Sequence, residues 1–110
     1  MRYVLFLIGL TLIGCFETGT TLAIAEAEAA GFEMDQQQVY HMVDAIDGWS
    51  GNWAGDRVEL YEYETVRQAE DAWPMFENIA WNDKCRVANM ILISTGNNAC
   101  EALEDLVGGE

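Results

Sequence analysis

Residues 3–16, YVLFLIGLTLIGCF, carry no charge and offer no polar face. A buried N-terminal helix of the folded domain is disfavoured, because every face of the run is apolar and glycines interrupt it. At helical rise its length spans roughly 21 Å, short of the ~30 Å hydrocarbon core of a bilayer. Arg2 precedes it, and Gly9 and Gly14 interrupt it. A brief basic start followed by an apolar stretch is the pattern of a secretory signal. The fold must therefore be built from what remains of the 110 residues, which is enough for one domain at most.

The apolar run ends in LIGC at residues 12–15. This resembles the lipobox of bacterial lipoproteins, which reads aliphatic, small or aliphatic, small, then cysteine. The resemblance covers only the signal segment. It implies a signal peptide over 1–14, lipid on the sulfur of Cys15, and cleavage that leaves Cys15 as the first mature residue. It also implies an extracytoplasmic, membrane-anchored location, in the periplasm or at the cell surface. The start departs from the usual pattern in holding a single basic residue. A competing small-x-small cleavage site ends at Ala25, and use of it would release a soluble secreted protein.

Residues 15–33 then read as anchor and tether. The stretch FETGTTLAIAEAEAAGFE at 16–33 is rich in Ala, Thr, Gly and Glu. As a flexible chain it would reach roughly 20–25 Å. A helix over 22–30 is the alternative, since Ala and Glu are good helix formers.

Lipid on Cys15 leaves two of the three cysteines, Cys85 and Cys100. An even pair in an oxidising compartment reads as a disulfide. The spacing is not C-x-x-C, which disfavours a thioredoxin-type redox site. A strand between the two would place them at its opposite ends, whereas a bridge needs Cα atoms within ~7 Å. The bridge requires that the strand start near Asn89 and that residues 85–88 fold back.

The expected domain, residues 34–110, is α+β. A helix is predicted over 35–48: Asp35 caps, Gln38 completes a capping box, Met34 staples onto Val39, and Val39, Met42, Val43 and Ile46 share a face. Glycine density makes 48–56 a loop carrying Trp49 and Trp53. Residues 57–63, RVELYEY, form a strand. A helix follows from Thr65, disturbed by Pro74. The continuous apolar centre of 87–95 predicts a strand covered on both faces. A last helix begins at Asn98. The predicted order is α-β-α-β-α with a βαβ-like unit. Two strands make a poor sheet, so a third is sought within 79–88 or from a partner, giving a two- to three-stranded sheet.

Five basic residues face 19 acidic ones, a net charge of −14. That balance excludes a nucleic-acid partner, which needs clustered Lys and Arg. His41, the only histidine, has Asp44 as its one nearby helical neighbour and reads as a surface residue. Ser50 and Ser94 lack a G-x-S-x-G context, and no phosphate or calcium loop motif occurs. No catalytic residue, metal ligand or cofactor is predicted.

Trp49 and Trp53 with Asp56 are the candidate ligand-binding set. Paired indoles on a loop can platform a sugar, peptide or cation; the alternative is that they plug a small core. The resulting expectation is a lipid-anchored, non-catalytic binding or accessory domain, with a protein, peptide or cationic ligand as partner. Two alternatives stand beside it: a secreted domain with a thiol-redox or enzymatic role for Cys85 and Cys100, and an acidic cation-binding domain.

Overall fold

A computed structural model of the chain describes residues 21–108. The signal segment, Cys15 and the start of the expected tether lie outside the described residues. The elements are helix α1 (Ile24–Ala29), strand β1 (Glu33–Gln37), a 3-10 turn (Tyr40–Val43), β2 (Asp47–Trp53), β3 (Asp56–Glu62), α2 (Val66–Ala72), a second 3-10 turn (Trp73–Phe76), β4 (Asp83–Val87), β5 (Met90–Ser94) and α3 (Asn98–Gly108). All strands join one sheet in the order β1-β2-β3-β5-β4, and every neighbouring pair is antiparallel.

This overturns the expected α-β-α-β-α order and the two- to three-stranded sheet. The chain mixes helix and strand, but it builds five strands. β4 falls inside the 79–88 stretch, while β1 and β2 occupy residues read as helix and loop. Nor is there a βαβ unit made of the two strands read from sequence, because β3 and β5 are antiparallel neighbours. The helical crossover instead runs from β3 to β4. Those two strands are parallel to each other, with β5 lying antiparallel between them.

The helix expected over 35–48 does not form, because residues 33–37 pair with 49–52. Of its supposed apolar face, only Val43 packs against a core. Val39, Met42 and Ile46 are 68%, 78% and 49% exposed. Helical spacing is a weak signal over so few residues, and tertiary pairing prevails when a neighbouring strand can accept the ladder.

Glycine density misled in the same region. Gly48 and Gly51 lie within β2 and mark close approaches. A Cβ on Gly48 would fall 2.6 Å from the Tyr61 ring, and one on Gly51 2.1 Å from the Glu33 carbonyl oxygen. The actual β2–β3 turn is the two-residue Ala54-Gly55, both at positive φ (54° and 86°), as a tight hairpin twist demands.

Both faces of the sheet are covered. On one face Val58, Leu60, Met90 and Leu92 pack under α1 and α3 through Ile24, Ala27, Ala99 and Leu103. On the other, Tyr61, Ile91 and Ile93 pack under Ala69, Ala72 and Phe76, with Tyr40 and Val43 from the first 3-10 turn. β5 is wholly buried, in keeping with its continuous apolar run.

From Leu22 onward, the stretch read as tether belongs to this fold. Leu22, Ile24, Ala27 and Phe32 are buried. Asn89, buried in the β4–β5 turn, accepts from the Leu22 amide (2.6 Å) and donates to the Leu22 and Tyr63 carbonyls (2.9 and 2.6 Å). The six residues of α1 are too few to hold a helix by propensity; packing beneath the sheet holds it.

The two ends of the sheet differ. At the first end Leu22, the β4–β5 turn, the end of β3 and the 38–46 loop come together. The Ile46 amide donates to the Glu62 carbonyl (2.8 Å), the Ile24 amide to Glu62 Oε1 (3.1 Å), the Tyr63 amide to the Asn89 carbonyl (2.8 Å) and the Tyr63 hydroxyl to the Val43 carbonyl (2.7 Å). At the opposite end lie the Ala54-Gly55 turn, the start of α3 and residues 80–82, where Asn82 donates to the Thr95 carbonyl (2.8 Å).

Candidate functional site

Trp49 and Trp53 do share one side of β2, but they sit in the sheet and not on a loop. Trp53 is 2% exposed. Its Nε1 donates to the Ala30 carbonyl (3.2 Å) and its ring lies 5.8 Å from that of Phe32. Trp49 is half-buried against the same core. The indole pair therefore fills the core, the alternative weighed from the sequence.

Asp56 is buried as well. Its Oδ2 accepts from the Ala99 amide (2.9 Å), which makes it a cap for α3 supplied from β3. Close by, Arg57 exchanges hydrogen bonds with Thr95, so the loop before α3 is pinned to the hairpin. Trp53 and Asp56, partners across the β2–β3 turn, are both buried in the scaffold, and Trp49 is partly buried against the same core as Trp53.

Three other arrangements carry chemistry. The first follows from a bulge in β1, where Met34 and Gln36 oppose adjacent residues of β2 and Asp35 is the extra residue. The bulge aims Asp35 at Arg57, which grips both carboxylate oxygens, and at Ser50, whose hydroxyl donates to Oδ1 (3.0 Å). The Arg57 hydrogen bonds hold the Asp35 carboxyl below its ordinary range. A carboxylate stabilised in this way is a poor base.

The second is the cysteine pair. Residues 83–87 fold back on β5 and put Cys85 opposite Leu92. Cys85 and Cys100 stand at disulfide distance, with Cα atoms 6.1 Å apart. β5 begins at Met90, close to the start that the bridge required, and the hairpin removes the difficulty of opposite strand ends.

The third comprises two surface clefts. One, of about 290 Å³, is lined by Asp44, Gln68, Asp71 and Ala72. The other, of about 220 Å³, is lined by Ala80, Trp81, Asn82 and Thr95, at the end of the sheet opposite Leu22. Trp81 there is partly buried, with one side packed against the core that holds Tyr61 and Phe76, and the Asn82 amide beside it is bonded to the Thr95 carbonyl. Sequence reading passed over Trp81 because it stands alone between Ala80 and Asn82; the Trp-Asn step just before a strand was the available signal.

His41 is exposed, with its ring 4.3 Å from that of Tyr40. Among the described residues no three His, Cys, Asp or Glu side chains gather as a metal site. No helix among them is long and apolar enough to cross a membrane. No family model, curated protein or solved structure matches the chain.

Proposed function

We propose that the chain is a lipid-anchored extracytoplasmic accessory domain that binds a partner and performs no catalysis. The observation that carries this reading is the burial of Leu22 and Ile24. Cleavage after Ala25 would strip both side chains from the core and break the Asn89 clamp. This burial disfavours the later site and supports the earlier one, LIGC ending at Cys15. The pairing geometry of Cys85 and Cys100 supports the same reading. Bridged, they leave Cys15 as the odd thiol and suit an oxidising compartment.

The cleft at Trp81 is the binding site in this reading. It lies at the end away from Leu22, so an anchored domain presents it outward. An indole face beside amide and hydroxyl groups fits a peptide segment or a sugar ring.

Intact mass of protein extracted from membranes tests the anchor: the chain should begin at Cys15 with acyl chains attached and show no free thiol. A lipid-free chain beginning at Glu26 would refute it. For the cleft, Trp81→Ala should abolish crosslinking of the partner recovered with the parent protein in the native envelope. Unchanged recovery would refute that assignment.

A further inference from the structure

Val39, Met42 and Ile46 crowd into eight residues of the 38–46 loop, yet none reaches a core. All are among the exposed large hydrophobic side chains of the described residues. Their loop is held firmly. Tyr63 hydrogen-bonds Val43, Ile46 bonds Glu62, the Ala45 amide donates to the Tyr40 carbonyl (3.1 Å), and Asp44 closes the turn at φ 63°. A fixed loop that displays apolar side chains to water costs stability unless another surface covers them.

The chain's own path says what that surface is. Leu22 enters the fold at this same end, joined through Tyr63 and Glu62 to the loop. Resting on the anchor reading, six residues lie between Leu22 and the lipid-bearing Cys15, a span of at most ~25 Å fully extended. We infer that the 38–46 loop seats on the bilayer that holds the anchor, with Val39, Met42 and Ile46 in the interfacial region.

The occupant is a zwitterionic lipid surface. Asp44 lies within the loop and lines a cleft with Asp71, Asp47 and Glu62 stand where the loop joins the sheet, and Arg67 on α2 pairs with Asp71 (3.8 Å). A rim of carboxylates is repelled by anionic headgroups. Apolar burial must therefore supply the attraction, with the anchor keeping the local lipid concentration high. Seated this way, the domain holds the Trp81 cleft at the end farthest from the membrane.

The test uses the full lipid-bearing chain in phosphatidylcholine vesicles. A spin label is placed under non-reducing conditions on Met42→Cys, and separately on Ala54→Cys in the opposite turn. Collisional accessibility to oxygen is compared with accessibility to a water-soluble nickel chelate. The oxygen-to-nickel ratio at position 42 should exceed that at 54 by about fivefold or more, as expected for a side chain several ångströms into the interface. Adding Ile46→Asp should lower the ratio at 42 towards that at 54 while the chain still floats with the vesicles. Equal ratios in a floating chain overturn the seating and leave the anchor standing. A chain that does not float overturns both.

Discussion

Asn89→Ala removes a side chain that is 2% exposed and ties the N-terminal segment to the sheet. Three partners are left bare: the Leu22 amide, the Leu22 carbonyl and the Tyr63 carbonyl. Each buried polar group stripped of its partner costs about 1–3 kcal/mol, and shared relief by entering water brings the expected total to about 3–5 kcal/mol. Against the ~5–15 kcal/mol that holds a domain together, this is a large fraction. The backbone bond from the Tyr63 amide to the Asn89 carbonyl survives, so the β4–β5 turn should persist. Urea unfolding followed by tryptophan fluorescence measures the loss, and hydrogen exchange locates it. Amides of residues 22–32 should exchange much faster than those of β3 and β5. A loss below about 1 kcal/mol with protection of 22–32 unchanged would show that the clamp is not what docks this segment.

Replacing both Cys85 and Cys100 by Ser should cost about 3 kcal/mol in urea melts, the loop-closure value for a separation of 15 residues, and reductant should lower the parent by the same amount. Ala54→Asn should raise stability by about 0.5–1 kcal/mol, because Asn tolerates the left-handed backbone of this turn better than Ala; a lower thermal midpoint would contradict it. Asp56→Ala should cost about 1–2 kcal/mol by uncapping α3, read as faster exchange in residues 98–102. The Asp35 carboxyl titrates below its ordinary value because Arg57 bonds it, so its contribution to stability is present above the unfolded-state value and disappears as pH falls through the folded one. Arg57→Met should flatten the acid limb of the stability profile, and an unchanged limb would mean that the pair contributes nothing.

Sequence pattern reached the parts of this protein governed by neighbours along the chain. It identified the strand at 57–63 and the doubly covered run at 90–93. It found the Thr65 cap, which the structure confirms through the Gln68 amide at 3.0 Å, and the final helix. The cysteine pair was legible together with the condition for bridging it. What it missed depends on partners far away in the chain. Residues 33–37 become a strand only because β2 lies alongside, with Gly51 clearing the approach. The Trp49/Trp53 segment becomes a hairpin arm because Tyr61 covers Gly48 and Phe32 meets Trp53. Leu22 becomes core because Asn89, 67 residues on, bonds to it. Local spacing encodes which residues are apolar and where turns can start. Only the closed sheet decides which of those apolar residues find a core and which, like Met42, are left facing outward, because that choice depends on long-range hydrogen-bond pairing and no short window of sequence contains it.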